Sequence, residues 1–288
     1  MVINAWRWVF ISLLCCLSCA CTTLTFSERL AAADTIASGA GFKRQAMSAG
    51  QFTVVSYQKI QSSHKVLTVY IEGDGRSYIT RTRVSSNPTP SNPMALRLAA
   101  ADTQSHNIVY LARPCQFVAT DTDPECHAKY WTLYSYSPEV VASLNAAVDQ
   151  LKVQHGFTEI NLVGFSGGGA LVVLMASQRQ DVISIRTVAG NLDIEAFTRF
   201  HKVTLMTGSL NPVDFSAAVA AIPQRHFIGA EDDVVPKNIA ESYLSYFDQK
   251  ECINLQVVEG ATHLTGWVER WPTFMAQPIS AVIPASRE

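Results

Sequence analysis

Apolar positions along the chain fall into two repeating patterns. Short runs rich in Val, Ile and aromatic residues, at 52–58, 65–71, 107–111, 160–164, 185–188, 225–228 and 253–258, predict β-strands. Between them lie stretches with helical spacing. Residues 138–154 place Val141, Leu144, Ala147, Val148 and Leu151 on one face of a helix. A second helix begins just after Ser166 and carries Leu171, Val172, Leu174 and Met175. A third covers 236–247 and opens with Pro236, whose missing N–H costs nothing in a first turn. Strands alternating with helices predict an α/β architecture: a mostly parallel sheet covered by helices on both faces. Residues 22–50 are polar and rich in Ala and Gly, with a helix-like piece at 27–37 closed by Ser38-Gly39, and read as a tether. Residues 87–93 read as an irregular loop, and no internal repeat is present.

The 288 residues, 48% of them hydrophobic, suffice for one large core, so residues 51–288 are expected to form a single domain. The formal net charge is only -2, and no block of like charge runs along the chain, which argues against a nucleic-acid partner. The first residues differ in character. Arg7 precedes an apolar run at 9–17 that is shorter than the roughly 20 residues of a membrane span, the pattern of a signal peptide over residues 1–20. Cys15, Cys16, Cys19 and Cys21 crowd its end. The Ala20-Cys21 junction resembles the processing site of a bacterial lipoprotein, with Ser18-Cys19 as the second choice, although Ser18 stands where such leaders usually carry Leu. That resemblance implies a lipid on Cys21, residues 21–50 as an anchored tether, membrane attachment and, with Thr22 rather than Asp after the cysteine, the outer membrane of the cell envelope. An ordinary cleaved signal is the plainer reading.

Export bears on the remaining cysteines, because disulfides persist in oxidising compartments. Cys115 and Cys126 bracket a short loop rich in Asp, Thr and Pro and form the natural pair, which leaves Cys252 alone. No Cys/His spacing fits a metal site, since Cys126-His127 lacks a second pair. No zinc site is expected from these residues.

The candidate chemistry centres on Gly164-Phe165-Ser166-Gly167-Gly168, which follows the apolar strand at 160–164 and precedes a helix. A nucleophile elbow requires this layout: a strained Ser between strand and helix, with small residues two before and two after it to allow close approach. A serine hydroxyl needs a base to take its proton, and an acid to orient that base. Arg225-His226-Phe227-Ile228 is a strand followed by Gly229-Ala230-Glu231-Asp232-Asp233-Val234-Val235-Pro236, which places Asp232 in a turn after it. His263 follows the last predicted strand in Gly260-Ala261-Thr262-His263. Ser166, Asp232 and His263 therefore occur in the order Ser, acid, His. Asp193, one strand earlier, is the rival acid, and His226 reads as a core histidine. For an oxyanion hole, Gly167 supplies one amide, and the turn Glu72-Gly73-Asp74-Gly75 after an apolar strand supplies a second from Asp74 or Gly75. A plain hairpin turn is the alternative there.

These residues resemble the α/β-hydrolase superfamily over about 52–271. More narrowly, Tyr70-Ile71-Glu72-Gly73-Asp74-Gly75, Arg113-Pro114-Cys115-Gln116, Gly164-Phe165-Ser166-Gly167-Gly168-Gly169 and Thr187-Val188-Ala189-Gly190-Asn191-Leu192-Asp193 look like a group of uncharacterised proteobacterial lipoprotein-type hydrolases. The resemblance implies an α/β-hydrolase fold and hydrolysis of an ester, thioester, amide or peptide bond in a small acyl substrate, with neither a metal nor an organic cofactor. Residues 191–223 lie where such folds insert a lid, and their brevity implies no large cap domain; Phe197, Phe200, Met206 and Leu210 are candidates to line the pocket. A catalytically silent envelope lipoprotein that keeps the fold as a binding or scaffold module is the second function class.

Overall fold

The computed structural model describes residues 24–61, 63–121 and 123–279. The leader and Cys21 lie outside them. In chain order the elements are α1 (Phe26–Gly39), β1 (Lys43–Ala49), β2 (Phe52–Ile60), β3 (Val66–Ile71), α2 (Met94–Ala101), β4 (Asn107–Leu111), α3 (Pro138–His155), β5 (Glu159–Phe165), α4 (Gly167–Ala176), β6 (Val182–Val188), α5 (Ile194–His201), the single turn α6 (Ser216–Val219), β7 (Gln224–Gly229), α7 (Lys237–Ser245), β8 (Ile253–Val258) and α8 (Trp271–Ala276). The strands form one eight-stranded sheet in the order β1-β2-β4-β3-β5-β6-β7-β8. β2 runs antiparallel to both β1 and β4, and every other pairing is parallel.

Strand alternation divides the core. Leu67, Val69 and Ile71 of β3 pack with α3, α4 and α7 on one face, whereas Tyr70, with Val163 and Phe165 of β5, packs with α1, α2 and α8 on the other. Every residue of α4 is buried, which accounts for a helix that is apolar all round rather than on one stripe. α3 ends at Gly156, whose φ of 72° is the left-handed cap geometry that glycine adopts without a Cβ penalty. On the opposite face Trp271 Nε1 donates to Tyr70 Oη at 2.9 Å, and Tyr70 Oη donates to Asp102 at 2.7 Å, so these buried polar atoms are paired.

The domain begins earlier than residue 51, which corrects the expectation of a tether over 21–50. Within 24–50, α1 buries Ala33 and Ala37 beneath the sheet, and β1 pairs with β2 along its whole length. β1 is an edge strand with Lys43 and Arg44 exposed, so only its last residues carry the apolar pattern of a strand. Tyr57 Oη donates to Asp34 at 2.8 Å and ties α1 to β2. Residues 191–223 hold α5, α6 and a turn of 3₁₀ helix at Pro212–Phe215, and no cap domain stands over the sheet among the described residues.

Candidate active site

β5 delivers Ser166 to the C-terminal edge of the sheet, where the chain reverses into α4. Ser166 has φ 52° and ψ −120°, outside the regions that L-residues favour and worth about 1–3 kcal/mol of local strain. Hydrogen bonds hold the turn: Ser166 N–H donates to Val188 O at 3.0 Å, while Gly169 N–H and Asn191 N–H donate to Ser166 O at 2.8 and 3.0 Å. The flanking glycines are required by contact. A Cβ on Gly164 would stand 2.3 Å from Gly168 O, and one on Gly168 would stand 2.3 Å from Ile71 O.

His263 sits after β8 in a loop fixed by Trp267, whose indole donates to Thr262 O at 2.9 Å and also reaches His263 O at 3.3 Å. Its Nε2 is 3.0 Å from Ser166 Oγ, and its Nδ1 is 2.9 Å from Asp232 Oδ2. The other Asp232 oxygen accepts from the amides of Val234 and Val235 at 2.9 and 2.8 Å, and the carboxylate is fully buried. An ionised carboxylate can only accept, so Nδ1 carries the imidazole proton and Nε2 is left to accept from the serine hydroxyl. Ser166, His263 and Asp232 thus form a hydrogen-bonded series drawn from three loops.

The rival acid lies elsewhere in the network. Asp193 caps α5, accepting from Ala196 N–H at 3.0 Å, from Asn211 at 3.3 Å and from Ser242 Oγ at 2.6 Å. His226 is buried, bridges Thr187 and Gln224, and desolvation pushes its pKa down to about 3, so it is neutral at physiological pH.

Opposite α4 lies the turn after β3. The Gly73 amide is engaged by Glu72 Oε1 at 2.9 Å. The amides of Asp74, Gly75 and Gly167 have no hydrogen-bond partner among the described residues. Asp74 lies against Gly167: a Cβ on that glycine would be 2.4 Å from Asp74 Oδ1 and 2.6 Å from Tyr136 Oη. Gly75, at φ 66°, packs instead against Pro88 O and the Gln116 amide. Glu72 is buried at the N-terminus of α2, where it also accepts from Ala95 N–H at 3.3 Å, and burial pushes its pKa up to about 7.

Three residues with no role assigned from the sequence brace this turn. Arg113 pairs with Asp74 Oδ1 and donates to Ser135 O at 2.5 Å; its guanidinium lies 5.1 Å from the centre of the Tyr136 ring. Tyr136 Oη donates to the Asp74 carboxylate at 2.9 Å. Gln116 donates to Gly73 O at 2.9 Å and accepts from Arg113 N–H at 3.1 Å. Between them Cys115 is disulfide-bonded to Cys126, with Cys252 free. Cys115 and Phe117 hold positive φ, 71° and 57°, and Phe117 N–H donates to Thr89 Oγ1 at 2.7 Å. The signal that could have found this brace is a charged and an amide side chain, Arg113 and Gln116, directly after the wholly buried β4. Of the pocket candidates, Phe200 is exposed, while Met206 and Leu210 pack on the core.

The overall fold, an eight-stranded and mostly parallel sheet between helices, recurs in solved structures. The chain has the α/β-hydrolase fold. Est1E from Butyrivibrio proteoclasticus matches with a TM-score of 0.57 at 14% identity, over 81% of this chain and 97% of that one. An alpha-beta serine hydrolase homologue from Coxiella burnetii matches with a TM-score of 0.56 at 16% identity, over the same shares. A serine hydrolase without a lid from Xanthomonas campestris matches with a TM-score of 0.51 at 11% identity, over 77% of this chain and 86% of that one. No family model matches the sequence, and no curated protein does. At such identities the α/β-hydrolase fold is what is shared, and the chemistry rests on this chain's own site.

Proposed function

We propose that this chain is a serine hydrolase that cleaves an ester, or a related thioester or amide, through an acyl-enzyme intermediate. The observation that carries the reading is the series Ser166 Oγ to His263 Nε2 at 3.0 Å and His263 Nδ1 to Asp232 at 2.9 Å, beside amides that have no partner among the described residues. His263 takes the hydroxyl proton as Ser166 attacks the carbonyl carbon, and Asp232 stabilises the resulting imidazolium. The amides of Gly167 and of the Asp74-Gly75 turn receive the oxyanion; each donor of this kind contributes about 2.7–4 kcal/mol to the transition state. His263 then protonates the leaving group, and water, deprotonated by the same imidazole, releases the acyl group.

The reading includes export and anchoring. Its support is the apolar leader ending at Ala20-Cys21, together with the Cys115–Cys126 disulfide, a bond that persists in an oxidising compartment. A lipid on Cys21 then holds the enzyme on the outer membrane. A fluorophosphonate probe tests the chemistry: labelling at Ser166 that is lost in Ser166→Ala and strongly slowed in His263→Ala is the expected result. Absence of labelling in exported, oxidised protein would instead identify a silent member of the fold that serves as a binding or scaffold module.

A further inference from the structure

Most of the exposed large apolar side chains among the described residues lie in segments that adjoin the turns carrying Asp74, Asp232 and His263 or are hydrogen-bonded to such segments. Tyr78, Ile79 and Val84 lie in the loop after the Asp74-Gly75 turn, while Phe200, Val203 and Leu205 lie at and beyond the end of α5; all six are 37% to 48% exposed. The two groups meet, since Arg81 donates to His201 O at 3.4 Å. Val234 and Leu264, also exposed, directly follow the Asp232 turn and His263, and His201 Nε2 reaches Val234 O at 2.7 Å. Such a rim loses solvation energy in water and gains it only when something covers it. Interleaved with the first six are the exposed cations Arg81, Arg83 and Lys202, while the exposed carboxylates Glu231 and Asp233 lie beside Val234.

A second, independent observation indicates the covering surface. α1 runs down the domain from the active-site side, because β1, which follows it, runs in the direction of β3 and β5, with Gln45 level with Ile71 at the C-terminal edge and Ala49 beyond it. The N-cap Thr25 sits within reach of Arg29, which is buried and donates to Asn87 O at 3.2 Å and to Thr89 O. Ser85 also donates to Asn87 O, at 2.9 Å, so the described chain begins at the foot of the Tyr78–Val84 loop. Thr25 lies four positions after Cys21, a reach of at most about 14 Å. A compact domain of this length is about 45 Å across, so that reach cannot turn the opposite pole toward a membrane holding Cys21.

We infer that the apolar, cationic rim around Ser166 docks on an anionic phospholipid bilayer, and that the substrate is an acyl ester presented at that bilayer surface. The inference rests on the hydrolase and lipid-anchor readings above. No described helix is long and apolar enough to cross a membrane, so contact is by loops at the interface. The rim's side chains enter the headgroup boundary, and the nearby cations add an attraction to an anionic surface that salt weakens.

The test uses the full, lipidated chain reconstituted in phosphatidylcholine vesicles with and without phosphatidylglycerol. In Leu205→Trp, lipids brominated in their acyl chains quench the added indole; in Val153→Trp, at the far end of α3, they do not. Quenching at 153 but not 205, or at neither, overturns docking, and quenching at neither with crosslinking at 205 assigns the rim to a protein partner or second copy. For the substrate, Ile79→Ser/Leu205→Ser is expected to lower turnover of a vesicle-embedded ester by about tenfold, the effect of withholding roughly half the burial energy of one large side chain. Turnover of a short water-soluble ester stays unchanged. Equal loss on both esters, or on neither, overturns the bilayer substrate. If the parent chain cleaves neither ester, the hydrolase reading falls, while quenching still decides docking.

Discussion

Replacing Arg113 with Met isolates the electrostatic role of the brace. The guanidinium is almost wholly buried and neutralises Asp74, whose carboxylate is about one-third exposed and lies against Gly167. Breaking a buried pair costs about 3–5 kcal/mol, but Asp74 keeps partial hydration, so a loss of about 2 kcal/mol in stability is expected. That corresponds to a fall in melting temperature of about 4–8 °C for a domain of this size. The effect on catalysis is separable. Taking a separation of about 5 Å and an effective dielectric near 20, a carboxylate left without its cation beside the oxyanion raises the barrier by about 3 kcal/mol, roughly a hundredfold in kcat. KM changes little, because the charge it opposes exists only in the transition state. In Arg113→Met/Asp74→Asn both charges are gone, and kcat recovers to within about tenfold of the parent although stability does not. Thermal unfolding by circular dichroism and steady-state turnover of a short soluble ester supply the two readouts. If the double variant is as slow as Arg113→Met, the Asp74 charge is not the cause and the electrostatic account fails.

Two buried groups give opposite dependences of stability on pH. The unfolded state protonates His226 near 6.5 while the folded one resists until about pH 3, so stability present at neutral pH is lost as pH falls through that interval, about 5 kcal/mol in all. Glu72 works the other way: its folded pKa near 7 exceeds the ordinary 4.5, so its contribution is full below pH 4.5 and is lost as pH rises to 7, about 3 kcal/mol. Urea titrations across pH should show each slope removed in His226→Gln and Glu72→Gln respectively; an unchanged slope refutes the burial argument for that group. Removing the disulfide as Cys115→Ser/Cys126→Ser should cost about 3 kcal/mol through the freed loop and lower kcat more than it raises KM, since Arg113 and Gln116 flank Cys115. Asp232→Asn should slow turnover by orders of magnitude, whereas Asp193→Asn should mainly destabilise α5; the reverse pattern would transfer the acid role to Asp193.

Much of this was legible along the chain because it is local. The central strand 107–111 is a wholly buried, largely apolar run, α3 announces itself by spacing and Pro138, and the strand, Ser166 and Gly-rich helix start are adjacent in sequence. The order of Ser166, Asp232 and His263 and the pairing of Cys115 with Cys126 also needed no coordinates to suggest. Contacts between distant segments carried no such mark. α1 and β1 read as a tether because an edge strand and a helix poor in large apolar residues are stabilised by their partners rather than by their own pattern. Asp193 and Asp232 are equivalent as residues; a late loop bringing His263 to one, while Ser242 and Asn211 occupy the other, separates them. The brace of Arg113, Gln116 and Tyr136 on the Asp74 turn likewise exists only where β4 and β3 lie side by side. Local periodicity and turn chemistry are written residue by residue, so the sequence determined the fold class and the candidate nucleophile. Which charges face that nucleophile, and which apolar side chains surround it, depended on packing between segments far apart in the chain, and only the tertiary structure decided them.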